Sequence, residues 1–131
     1  MRVSRRGVAG LLVALAAVAG CSGQANITGS WTPVSTSGEG APASLPGVEL
    51  NVMGKELTGN DGCGLIRATV EVVDSELAVT DWQGPDTQCR GEAGAVSGFV
   101  RRVLTARPSV ARDGELLTLQ GGGATLELQL N

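Results

Sequence analysis

One stretch of this chain keeps a different period from everything around it. Val96, Phe99, Val100, Val103 and Leu104 fall at i, i+3, i+4, i+7 and i+8, one face of a helix. Glu92 in the first turn and Arg101, Arg102 and Arg107 toward the end match the helix macrodipole, and Pro108 stops the helix. The segments on either side alternate instead. Val48, Leu50 and Val52 are interleaved with Glu49 and Asn51, and Leu126, Leu128 and Leu130 with Glu127 and Gln129. That period of two belongs to strands with one wet face. A lone amphipathic helix needs an apolar partner, and such strands need a cover for their dry face. The expected fold is therefore α+β, a curved antiparallel sheet packed around a single helix.

The remaining elements follow from turn chemistry. Trp31 and Val34 read as a short first strand that Pro33 assigns to an edge, and Ser35 to Ser44 as a loop. Glu56 to Gly59 is a short strand before the turn Gly59-Asn60-Asp61-Gly62. Leu65 to Val73 turns at Asp74-Ser75-Glu76 into Leu77-Ala78-Val79, the clearest hairpin. Thr80 to Cys89 reads as a loop, with Asp81, Gly84, Pro85 and Asp86 in it. Asp113-Gly114 marks another hairpin, and Gly121-Gly122-Gly123 leads into the last strand. Gly94 and Gly98 each cost the helix about 1 kcal/mol relative to alanine, a cost expected to be offset by a sheet packed closely against them.

The first twenty residues read as an address. Arg2, Arg5 and Arg6 precede Val8 to Val18, eleven uncharged residues, where a bilayer span needs roughly 20. Val18-Ala19-Gly20-Cys21 resembles the bacterial lipobox, and small residues at 19 and 20 suit an extended backbone in a peptidase groove. The expectation is cleavage before Cys21 and acylation of its thiol. Two or three acyl chains, at about 0.8 kcal/mol per buried methylene, anchor a protein stably. The plainer alternative is an ordinary cleaved signal with a coincidental cysteine. Arg5-Arg6 weakly resembles a twin-arginine signal, which leaves the export route open. On this reading residues 1–20 are the signal peptide, 21–26 a lipidated tether and 27–131 one domain. The protein is then extracytoplasmic and lipid-anchored to the cell membrane.

Composition narrows the chemistry. Ten basic and thirteen acidic side chains give a net charge of −3. The leader holds three of the arginines and no acid, so the remaining 111 residues carry −6, which excludes the basic footprint of a nucleic-acid binder. The absence of histidine removes Ser-His-Asp and Cys-His catalysis and most zinc or iron sites. With only Trp31, Trp82 and Phe99 as aromatics, a base-stacking platform is excluded as well.

The order of the pieces resembles the META domain family, which includes the bacterial heat-shock lipoprotein HslJ. The resemblance runs from Ile27 to Asn131. Gly29-Ser30-Trp31 is similar to the family's opening Gly-x-Trp strand, and Gly59-Asn60-Asp61-Gly62-Cys63-Gly64 to its Gly-Cys-Asn turn. Thr87-Gln88-Cys89 resembles the segment that closes on a second cysteine, Glu92 to Leu104 the helix that follows, and Asp113 to Leu119 the final hairpin. Gly64 stands where the family has asparagine, and Pro85 where it has threonine. The resemblance implies an antiparallel, barrel-like sheet wrapped around one helix and no catalytic residues. It also implies links to envelope stress, antibiotic tolerance and motility.

Candidate sites are few. With Cys21 lipidated, Cys63 and Cys89 remain, and in an oxidising compartment such a pair is most simply a disulfide. Two reduced cysteines lining one core are the alternative, and a redox-active pair is disfavoured without a CxxC. Asp61, Asp81, Asp86 and Glu92 could gather around the cysteine turns as a cation or carboxylate site, although turn acids usually cap backbone. Trp82 reads first as packing over the end of the sheet, and otherwise as a partner or membrane-headgroup contact. Arg101 and Arg102 read as a solvated helix face, with headgroup contact as the alternative. No enzyme activity, metal or cofactor is expected. The leading function is a non-catalytic binding or interaction module in the cell envelope, meeting the membrane through its lipid anchor and an unknown envelope protein. The rivals are a carrier of a small hydrophobic ligand in a half-barrel cavity, and an envelope enzyme or thiol redox protein.

Overall fold

In the computed structural model of the protein, residues 25–85 and 89–131 are described. The leader, Cys21, Asp86 and the Thr87-Gln88 pair lie outside the described residues, and with them the lipidation site. The described chain folds as β1 (Gly29–Gly38), β2 (Val48–Met53), β3 (Glu56–Asp61), β4 (Leu65–Val73), β5 (Glu76–Gln83), α1 (Gly91–Thr105), β6 (Ser109–Asp113), β7 (Leu116–Gly121) and β8 (Ala124–Leu130). Each strand pairs antiparallel with the next, and β8 returns to β1 from Trp31↔Leu130 to Gly38↔Ala124. The sheet thus closes into a barrel, in keeping with the curved, barrel-like antiparallel sheet expected. Closure removes most of the unpaired edge that an open sheet would leave to aggregate, the exception being β5 beyond its single pair with β6.

The alternating pattern sets what lies inside. Val48, Leu50 and Val52 are buried, as are Ile66, Ala68 and Val70 on β4 and Ala124, Leu126 and Leu128 on β8. The apolar stripe of α1 joins them: Val96, Phe99, Val100, Val103 and Leu104 are all buried. The helix lies across one end of the barrel. Val96 approaches Gly62 in the β3–β4 turn, while Arg102 approaches Gly40 and Gly122 in the β1–β2 and β7–β8 connections.

The N-terminal segment meets the opposite end. Arg112 donates through Nη1 to the Asn26 carbonyl (2.5 Å) and through Nε to the Gly114 carbonyl (2.8 Å) in the β6–β7 turn. Its guanidinium lies 5.1 Å from the centroid of Trp31, whose Nε1–H donates to the Ile27 carbonyl (2.8 Å). Ala25 and Asn26, expected as the end of a tether, are packed on the barrel beside Gly54 and Lys55 of the β2–β3 turn.

Three expectations are corrected. The first strand continues through Ser35 to Gly38 instead of entering a loop, and it is bounded on both sides. Pro33 is tolerated because it lies beyond Trp31, the last residue paired with β2, and beside a bulge on the β8 side. The segment read as a loop from Thr80 is strand as far as Gln83. Neither helix glycine faces a sheet. A β-carbon on Gly94 would lie 2.5 Å from the Cys89 carbonyl oxygen, so the chain leading into the helix needs that glycine, whereas one on Gly98 would meet nothing within 4 Å.

The same lead-in is fastened by a disulfide. Cys63 in the β3–β4 turn is joined to Cys89, with Cα atoms 5.9 Å apart and a sequence separation of 26. On the chain-entropy account a loop of that length contributes about 3.5 kcal/mol. Replacing both cysteines by serine should therefore lower unfolding free energy by roughly 3 kcal/mol in urea titrations of the purified domain. Of the two helix glycines, Gly98→Ala should raise stability by about 0.5–1 kcal/mol. Gly94→Ala should lower it by about 1–2 kcal/mol, because the added methyl meets backbone that cannot easily yield. Paired thermal melts check the opposite signs.

Candidate functional site

The turn between β3 and β4 forms a floor. Asn60 Oδ1 accepts from the Gly62 N–H (2.8 Å), and Asp61 Oδ1 from those of Cys63 (2.9 Å) and Gly64 (3.0 Å). The Asp61 N–H donates to the Gly64 carbonyl (3.1 Å). Short polar side chains fold back on their own backbone in this way in tight turns. Asp61 is 2% exposed, and a carboxylate so buried needs partners to offset its lost hydration. The last of them comes from the helix: Ser97 Oγ donates to Asp61 Oδ2 at 2.7 Å. The group that shapes the turn thereby docks α1 upon it.

A wall comes from β5, by way of a bulge. Thr69 pairs with Thr80 and Arg67 with Gln83, so Asp81 and Trp82 together oppose Ala68. Asp81 takes a φ of 54°, in the left-handed region that aspartate tolerates better than most residues. The extra residue exchanges the faces of the strand. In simple alternation Asp81 would follow Leu77 and Val79 inward and Trp82 would point out. With the bulge, Trp82 packs half-buried against the rim of the core and Asp81 is exposed. Re-aiming a side chain is a recurrent use of such bulges.

Opposite Trp82, α1 presents a face with little bulk: Gly94, Ser97, Gly98 and Arg101, at i, i+3, i+4 and i+7. Between the two lies a cleft of about 410 Å³ whose lining also includes Asp61, Pro85 and the Cys63–Cys89 bridge. That volume falls in the range of small-molecule sites. The Arg101 guanidinium lies over the Trp82 ring, 5.8 Å from its centroid, within reach of a cation–π attraction. Among the described residues Arg101 has no ion pair or side-chain hydrogen bond, and the Trp82 Nε1–H has no acceptor.

The residues singled out in the sequence meet different fates. Cys63, Cys89, Trp82 and Arg101 converge on this cleft. Arg102 does not share the solvated face expected of the arginine pair. It turns the other way, donating to the Glu39 carbonyl, with its guanidinium 5.6 Å from the Phe99 centroid. It clasps the β1–β2 connection to the helix. The described acids do not gather: Asp61 is in the floor, Asp81 lines an outer groove with Lys55 and Glu56, and Glu92 stands exposed in the first turn of α1. Among the described residues no three of His, Cys, Asp and Glu are placed to hold a metal ion. Nor is there a half-barrel cavity, since the apolar interior holds only about 20 Å³ of free space. Reading the residues alone missed the roles of Ser97 and Gly98. A helix position without a side chain, one turn from an arginine, was the available signal.

Solved structures share this fold. An NMR structure of a protein from Burkholderia xenovorans aligns with a TM-score of 0.63 at 18% identity, covering 100% of this chain and 97% of that one. A crystal structure of a DUF4847 family protein from Bacteroides vulgatus aligns with a TM-score of 0.60 at 13% identity, covering 79% of this chain and 93% of that one. At such identities the likeness is one of fold. No curated protein matches the sequence. The sequence profile described as META domain matches residues 25–131, which takes in the Gly-Ser-Trp strand, the disulfide turn, the helix and the final hairpin, and the chain belongs to the META domain family.

Proposed function

We propose that the protein is an exported lipoprotein, anchored through acylated Cys21, whose META domain serves as a non-catalytic binding module in the cell envelope. It takes its ligand in the cleft between Trp82 and α1, in support of stress or antibiotic tolerance. The observation that carries this reading is the cleft's lining, with Arg101 over Trp82 beside buried Asp61 and the Cys63–Cys89 bridge. Size excludes the barrel interior, at about 20 Å³ against about 410 Å³ for the cleft, but does not by itself set the cleft apart from an outer groove of about 480 Å³ between Thr58 and Gln83. The interior has room for about one water molecule, which leaves no chamber for a lipid or other apolar cargo. The cleft is open, polar and positioned by a strained bulge.

Further support comes from the groups within it. Asp61 is committed to three donors and both cysteines are bridged, so the cleft lacks a free acid or nucleophile among its described residues. A disulfide fits an oxidising compartment. The N-terminal segment meets the barrel at the end away from α1, so an anchor at Cys21 turns the cleft from the membrane toward soluble envelope components.

Two experiments test the reading. Cys21→Ser should move the protein from sedimented membranes to the soluble fraction, with the mass of an unacylated chain; continued sedimentation would defeat the anchor. Exported wild-type protein and its Gly98→Leu variant, purified in parallel, should differ in what mass spectrometry finds retained, because a leucine at that position projects into the cleft. Identical retention by both would move the binding surface elsewhere.

A further inference from the structure

We infer that the cleft is an oxyanion site, selective for a small polar monocarboxylate, in which Arg101 is the carboxylate-binding group and Trp82 holds it ready. This rests on the cleft being the binding site and names the class of ligand it takes. A guanidinium held beside an indole by a cation–π contact does not spend its N–H donors on that contact. The Arg101 guanidinium carbon lies 5.8 Å from the Trp82 ring centroid, and Arg101 gives none of its donors to a carboxylate or carbonyl of the described chain. Arg102, Arg107 and Arg67 are engaged by the Glu39 carbonyl, Glu76 and Glu56, and exposed Arg90 at the helix start does not line the cleft. A planar fork of free donors suits the two oxygens of a carboxylate.

The rest of the cleft decides what that carboxylate is attached to. Buried Asp61 leaves a negative charge in the floor, its oxygens occupied by Cys63, Gly64 and Ser97. Among the described lining residues Arg101 and buried Asp61 already sum to zero, so each negative charge the ligand brings is uncompensated, which favours one charge over the two of phosphate. A volume of about 410 Å³ greatly exceeds a bare carboxylate, so the ligand has an organic body. The body meets polar groups, among them the unpaired Trp82 Nε1–H, and therefore carries a hydrogen-bond acceptor rather than an acyl chain. Gly98 makes the room: it lines the cleft, and a β-carbon there would meet nothing within 4 Å.

N-acetylalanine has this chemistry, one carboxylate on a small amide body, and serves as the probe. Its methyl ester keeps the body and removes the charge, and inorganic phosphate offers an oxyanion without a body. In ¹H–¹⁵N NMR titrations of the exported protein, N-acetylalanine should shift the Trp82 indole and Arg101 resonances saturably while leaving buried Trp31 unmoved. Titration to about 10 mM suffices to nearly saturate a site with a Kd of about 1 mM. The ester and phosphate should produce no such shift. Arg101→Gln should weaken the response at least about tenfold, the weight of one charge-assisted pair. Gly98→Leu should abolish it while matching or exceeding the wild-type melting temperature, which separates blocked binding from misfolding. A Gly98→Leu-sensitive response to the ester or to phosphate, with none to N-acetylalanine, overturns the carboxylate assignment and leaves the cleft as the binding site. If no probe response differs between wild type and Gly98→Leu, both readings fall.

Discussion

The seam between β5 and β6 governs the rest of the molecule. Elsewhere around the barrel neighbouring strands share ladders of three to seven residue pairs, but here a single pair, Glu76↔Ser109, joins them, with hydrogen bonds from Leu77 to Pro108 and from Val110 to Ser75. Beyond that point β5 runs on to Gln83 without a partner from β6. Unpaired strand backbone and an uncovered core end are both costly. The connection that follows β5 is therefore a helix whose five apolar residues cover the barrel end. That arrangement brings the polar face of α1 beside the bulged end of β5, and the cleft is the space between them.

Asp61 makes the arrangement specific. Apolar burial alone would hold α1 against the barrel in several rotational settings, since it has no direction. A buried carboxylate satisfied by two turn amides and the Ser97 hydroxyl fixes one setting, because any rotation that withdraws Ser97 leaves a desolvated charge short of a donor. The Cys63–Cys89 bridge acts on the same junction through the covalent chain. Together they determine that Gly94, Gly98 and Arg101 look into the cleft rather than past it.

These relations explain which features were legible in the residues. The helix face was, because five apolar positions at helical spacing admit one burial pattern, and so were β2, β4 and β8, where alternation or β-branched runs are unbroken. The upper half of β5 was not. A bulge shifts the period by one residue, so Asp81 and Trp82 look like a polar break followed by a stray aromatic. Pro33 misled for a related reason: its missing N–H marks an edge only on the side where a neighbour would be, and β2 has already parted from β1 by then. Arg101 and Arg102 were indistinguishable as a pair, because adjacent helix residues diverge by about 100° and only the docked helix says which one meets Trp82. The barrel was legible only through the family resemblance, since the β1–β8 pairing joins the two ends of the domain and leaves no local trace.

The two departures from the family pattern are informative once placed in space. Gly64 and Pro85 lie 21 positions apart in sequence, yet a β-carbon on Gly64 would come 3.0 Å from Pro85 Cγ. They are in effect one local change: the proline ring occupies space that a larger side chain in the turn would claim. Pro85 lines the cleft and Gly64 follows Cys63 in the turn beneath it. The coupled pair sits at the cleft wall, where the turn that docks the helix meets the end of β5. A shared scaffold with a reshaped rim is the arrangement expected when the fold sets where binding occurs and the local wall sets what is bound.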